Sequence, residues 1–167
     1  NVILDITGVM QNSGDVYAKG NADLNAQTLN NDKGNLSAEK TLAVAVKTDL
    51  SNKEGSLTAG GNATITGRNL DNTAGQIGSQ TGNLTLKLKG VLSNDAGSKK
   101  STIAAAQGVS DIRASSVSNQ GGAIYAHTTN IGTGSINNQQ GEISAIDNVK
   151  ISASSLYNKS GTVFAQN

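Results

Sequence analysis

The chain has 167 residues, a formal net charge of +1 and only 2% aromatic residues, with no Trp, Pro or Cys. That composition excludes a core built around large rings, and with no Cys there are no disulfide frameworks, thiolate metal sites or thiol catalysis. Lys and Arg are scattered along the sequence without a basic stripe interleaved with aromatics, so nucleic acid is a poor partner.

Residues 1–8, where Val2, Leu4 and Ile6 alternate, read as the tail of a repeat that precedes them. A unit then recurs: an apolar residue, Asn two places on, Gly three after that, an apolar residue two further, then Ala. The first copy is Met10, Asn12, Gly14, Val16, Ala18, one residue short before its Gly. Next come Leu29, Asn31, Gly34, Leu36, Ala38 and then Leu50, Asn52, Gly55, Leu57, Ala59. The fourth is Leu70, Asn72, Gly75, Ile77, with Ser79 in the Ala slot. The fifth is Leu92, Asn94, Gly97, then Ile103 and Ala105 after four extra residues. The series closes with Val117, Asn119, Gly122, Ile124, Ala126; Ile136, Asn138, Gly141, Ile143, Ala145; and Leu156, Asn158, Gly161, Val163, Ala165. A second apolar segment lies between these units, centred on Leu24, Val44, Ile65, Leu86, Ile112, Ile131 and Ile151.

Apolar residues alternate at period two, as in Leu84, Leu86, Leu88, which means strands with one buried face. No stripe of period 3.6 persists, and Gly and Asn interrupt every run, so helix is disfavoured. A unit of about 20 residues cannot bury its own apolar face, but stacked units form one continuous core. The spacing predicts an all-β parallel solenoid of eight rungs over residues 1–167, with two or three strands per rung and no separate catalytic domain. At about 4.8 Å per rung, eight would span roughly 40 Å. The Gly five residues into each unit is expected at a corner in a positive-φ conformation. The Asn is expected to face inward and bond to the Asn of the next rung, making a ladder of side-chain amides.

The unit Leu-x-Asn-x-x-Gly-x-Ile-x-Ala, followed by segments such as Gly61-Asn62-Ala63-Thr64-Ile65-Thr66, resembles the filamentous haemagglutinin repeat, and Leu70 to Ile77 is especially close. The resemblance covers nearly the whole chain. It implies a right-handed parallel β-helix, export through an outer-membrane two-partner-secretion transporter, and a place on the Gram-negative cell surface. The family's rods serve filamentous adhesins and contact-dependent growth-inhibition toxins alike. No signal peptide is visible, and no apolar run approaches the roughly 20 residues that span a bilayer; a secreted protein would then carry this chain as an internal piece. Strand edges at both ends, without a polar cap, predict end-to-end association.

Some β-helices act on polysaccharides, and a glycosidase needs two carboxyl groups on neighbouring rungs. No column of the repeat alignment holds adjacent acids. Asp32 and Asp95 share a column three rungs apart, and Glu54 faces Lys33, with which it is expected to pair. His127, the only His, has no acid beside it in the alignment and reads as a solvated surface residue. No cofactor is expected. Tyr17 and Tyr125 should point outward in one column, five rungs apart. The five residues Ser98 to Thr102, where one would suffice, should bulge as a loop, and Lys99 and Lys100 on it are the candidate contacts for an anionic partner such as a cell-surface glycan. Three functions compete: a spacer rod that presents a distal domain, an adhesive module that binds a receptor or glycan itself, and a polysaccharide-active enzyme.

Overall fold

The computed structural model describes residues 1–167 and contains nineteen β-strands and no helix. Every strand pairing is parallel, and each joins a strand to its counterpart one turn further along the chain. The result is a β-solenoid of about eight turns. One turn shows the plan. Face one is Asn69–Asp71, face two Gln76–Ser79 and face three Leu84–Leu88. That turn has three strands, whereas in later turns faces two and three run together as one strand, as in Ala123–Gly132, so both expected numbers of strands per turn occur.

The inward columns follow the sequence registry. On face one Met10, Leu29, Leu50, Leu70, Leu92, Val117, Ile136 and Leu156 stack in order. On face two Val16, Leu36, Leu57, Ile77, Ile103, Ile124, Ile143 and Val163 do the same. The Ala column lies beside them, with Ser79 in line. Face three stacks Leu4, Leu24, Val44, Ile65, Leu86, Ile112, Ile131 and Ile151. Thirty of these residues and their neighbours merge into one apolar cluster. Burial of that stripe, shared between turns, is the main stabilising term, because no turn has a second layer of its own to pack against.

The end turns confirm the logic from the other side. Leu156 and Val163 occupy inward columns, yet are 44% and 38% exposed, because residues 1–167 include no turn beyond theirs. Face three also accepts polar residues where the apolar pattern lapses: Ser110 and Thr129 are fully buried in the column of Leu42 and Leu84. The Thr129 hydroxyl donates to the Ser144 carbonyl at 2.9 Å, whereas the Ser110 hydroxyl has no partner.

Candidate functional site

The corner between faces one and two carries the side chains that the repeat keeps in step. Asn31, Asn52, Asn72, Asn94, Asn119 and Asn138 are completely buried there. Each Nδ2 donates to the Oδ1 of the Asn on the next turn, in an unbroken series from Asn12 to Asn158 at 2.7–2.8 Å. The same Nδ2 reaches the carbonyl of the residue that opens face two on the next turn, such as Asn72 to Thr102 at 3.2 Å. In most turns it also reaches the glycine of its own corner, as Asn72 does to Gly75 at 3.3 Å. An amide suits this place because one group both donates and accepts, so carbonyls turned toward a dry corner find partners.

The glycines are at this corner for a different reason from the one the sequence suggests. The positive φ falls on the residue before the glycine: Lys33, Glu54, Ala74, Gln140 and Ser160 have φ of 54–60°, and Gly121 has 64°. The glycine that follows has ordinary φ and lies under the carbonyl of the previous turn's ladder Asn. A Cβ on Gly75 would stand 2.1 Å from the Asn52 carbonyl oxygen, and one on Gly141 would stand 2.0 Å from that of Asn119. Gly34, Gly55, Gly122 and Gly161 meet the equivalent oxygen at 2.0–2.3 Å. Gly14, in the first turn, has nothing above it. The requirement is clearance, not backbone freedom.

Gly97 does not hold the corner of its turn. The inserted residues displace it onto an exposed loop, where its N–H donates to the Lys99 carbonyl at 3.0 Å. Ser101 takes the slot instead: Thr102, which follows it, pairs with Gln76 and with Ala123. Ser101 is fully buried, and its hydroxyl donates to the Asn94 carbonyl. The loop spans Ala96 to Lys100, and its two lysines differ. Lys100 Nζ lies 3.3 Å from Glu142, two turns on, while Lys99 has no ion-pair partner.

At this corner and at the next, other side chains also staple one turn to its neighbour. The Oδ1 of Asp32 accepts from Ser51 and from the Lys53 N–H at 2.5 and 2.9 Å, and that of Asp95 accepts from Ser118 and the Gln120 N–H at 2.6 and 2.8 Å. These two acids, in one column, thus act alike as backbone clasps. Asn62 and Asn83, between faces two and three, accept from the N–H of Asn83 and Val109 on the following turns; the sequence reading missed this second set because its copies are irregular. Tyr17 and Tyr125 point outward, 56% and 43% exposed. Tyr17 donates to Glu39, and that hydrogen bond, with burial and the Glu39 charge, pushes its hydroxyl up.

Two expectations about charge are corrected. Glu54 and Lys33 form no ion pair; Lys53, one residue along, reaches Asp71 at 3.2 Å. Burial raises the Asp71 carboxyl, but hydrogen bonds from the Thr73 side chain and N–H and the Lys53 ammonium outweigh it and hold the group below its ordinary range. His127 does have an acid beside it. Asp147 lies 3.2 Å from Nδ1, because a bulge gives that turn an extra residue between the pairs Ala126–Ala145 and Thr128–Asn148 and carries Asp147 across from the histidine.

The bends between face three and face one correct a further expectation. Cations that look scattered in sequence converge there. Lys47, Arg68 and Lys89 occupy this bend in three successive turns. Lys87 and Arg113 pair side by side on the adjoining edge of face three. Arg68 is neutralised by Asp49 at 3.3 Å and Arg113 by Asp111 at 3.0 Å. Hydrogen bonds from Asn69 and Arg68 keep the Asp49 carboxyl below its ordinary range. Lys47, Lys87 and Lys89 have no carboxylate within ion-pair distance.

No curated protein and no solved structure matches the chain. A family model described as haemagglutinin repeat matches residues 4–62, 43–96 and 81–166. Repeats of this family are structural, of the kind that builds filamentous adhesin stalks on secreted surface proteins. With Asn ladder, corner glycines and inward columns all in the registry of that repeat, and matches running from residue 4 to residue 166, the chain belongs to the haemagglutinin repeat family.

Proposed function

We propose that this chain is a length of rod in a large secreted exoprotein of a Gram-negative surface, an adhesin or a contact-dependent growth-inhibition toxin, and that it holds a distal binding or toxic domain away from the cell. The observation that supports this most strongly is the continuity of the Asn ladder from Asn12 to Asn158, which keeps every turn in register with the next and so makes a rigid spacer. Export through an outer-membrane two-partner-secretion transporter belongs to the same reading. Solenoid turns pair only with their neighbours, so each can fold as it emerges.

The exposed loop at 96–100 favours a second reading, an adhesive module. Deleting Ser98 to Ser101 separates the two. The deletion places Gly97 directly before Thr102 and restores the Gly-x-apolar spacing, here from Gly97 to Ile103, of the other turns. On the rod reading the shortened chain keeps its β-rich circular dichroism spectrum, and its binding to Gram-negative and host cells equals that of the intact chain. Saturable cell binding that disappears with the loop would replace the rod reading with the adhesive one. A rod segment with uncovered apolar residues such as Leu156 and Val163 at its end also associates end to end. Sedimentation at rising concentration should show that, and a monomer at every concentration would contradict it.

A further inference from the structure

The geometry points to the basic bend between faces three and one as a binding site for an acidic polysaccharide, a chain carrying one carboxylate per sugar. The inference stands apart from the rod reading, which assigns this bend no role.

The argument begins with arrangement. Four exposed cations, Lys47, Lys87, Lys89 and Arg113, line one shallow groove whose floor is Gly67, and a fifth, Arg68, follows that glycine in the chain. Gly67 pairs with Leu88 and lies against Val46, both buried, so the floor has no side chain to fill the groove. Two acids, Asp49 and Asp111, belong to the same edge, which leaves a local excess of three positive charges on a chain whose total is +1. The excess is carried by the three unpaired lysines.

The cations do not converge on a point, as they would for a single phosphate. They spread along the rod axis over four successive turns, Lys47, then Arg68, then Lys87 with Lys89, then Arg113, at the roughly 4.8 Å repeat of paired strands. A ligand that matches them is itself linear, with charges repeated along its length; a sugar is about as long as the step from one turn to the next, so a chain of charged sugars reaches both Lys47 and, two turns on, Lys87 and Lys89. The unpaired cations are ammonium groups, point charges that suit single anionic groups along a chain, and the two guanidinium forks, which would grip one anion bidentately, are already engaged by Asp49 and Asp111. No aromatic side chain lies in the groove to stack a base, which disfavours single-stranded nucleic acid. The apolar side chains that line it, Val46 and Leu88, are each only 7% exposed and offer nothing to enter a membrane.

The test uses the 167-residue chain with polygalacturonate as the probe. Neutral dextran and double-stranded DNA are the comparisons, and each is titrated at several salt concentrations. The variant combines Lys47→Gln, Lys87→Gln and Lys89→Gln. All three sites are exposed, so the fold is retained, and circular dichroism checks this. A second variant, Lys99→Gln with Lys100→Gln, moves the same type of charge loss to the loop. The expected result is saturable binding of polygalacturonate and none of dextran. The triple variant should bind at least about tenfold more weakly, with the salt slope falling by roughly 0.7 to 0.9 per cation removed. The loop variant should bind as the intact chain does. Equal binding by the triple variant and the intact chain overturns the site. So does an absence of polygalacturonate binding at low salt. DNA bound as tightly as polygalacturonate would overturn the polysaccharide assignment in favour of a general polyanion surface. None of these outcomes touches the rod reading, which stands or falls on the loop deletion.

Discussion

Gly75→Ala is expected to destabilise the solenoid by about 4 kcal/mol or more, or to prevent the fold from forming. The new methyl would stand 2.1 Å from the Asn52 carbonyl oxygen and 2.5 Å from Asn72 Oδ1. The first of these is backbone, held by the turn below, and cannot swing aside. Relief would require two turns to separate, which breaks the ladder and the face-two pairing together. Two controls give the cause. Gly78→Ala, on the outward side of face two, meets nothing closer than 3.7 Å and should change stability by less than about 0.5 kcal/mol. Glu54→Gly, at an exposed residue with φ of 56°, should raise stability by about 1 kcal/mol, because a side chain is strained there and none is needed. Denaturant midpoints of the three variants against the parent chain decide the matter. If Gly75→Ala melts with the parent, the clearance argument is wrong.

Asn72→Ala is the second large effect, expected to cost about 3–5 kcal/mol. It takes from the Asn52 amide its shortest acceptor, leaves Asn94 Oδ1 without its donor, and removes the side-chain N–H that serves the Gly75 and Thr102 carbonyls, the first of which keeps only the Thr102 N–H. All of this happens where Asn52, Asn72 and Asn94 are fully buried, so water does not compensate. Asn72→Asp should be worse at neutral pH and carries a pH signature. A carboxylate there would face three acceptors, Gly75 O, Thr102 O and Asn94 Oδ1, with only the Asn52 amide to donate to it. Its pKa is thus raised in the folded state, and stability is retained below the ordinary carboxylate pKa of about 4 and lost as pH rises. Unfolding of both variants at pH 4 and pH 7 checks this: the alanine variant should show no such recovery in acid relative to the parent, and the aspartate variant should. Identical behaviour of the two would mean that the ladder tolerates a charge.

These effects bear on what the sequence reveals. The inward columns were legible because a core one turn thick demands the same kind of residue at the same place in each turn, as with Leu70, Leu92 and Val117. The ladder was legible for the same reason. The glycine was found and its cause mistaken, because an Asn-x-x-Gly corner looks alike whether the strain falls on Gly75 or on Ala74; only the path of the previous turn's carbonyl tells them apart. Ser101 was missed because the insertion hides which residue resumes the register. The pair of His127 and Asp147 was missed because one bulged residue shifts the columns. The basic bend was missed because bends vary in length from turn to turn. Lys47, Arg68 and Lys89 share no motif, and only the closed turn brings them to one edge.

The ladder also has a sense of direction. All seven amide contacts donate the same way, from the turn nearer the start of the chain to the one after it. A stack that ends at any turn therefore presents an N–H on its leading side and an amide oxygen on its trailing side, like the two ends of a magnet. A polymer with unlike ends recruits its next turn in one orientation only, and each amide already in line polarises the next. If turns fold one by one as the chain emerges, as in the export proposed above, a template that accepts only what comes next sets the order of assembly.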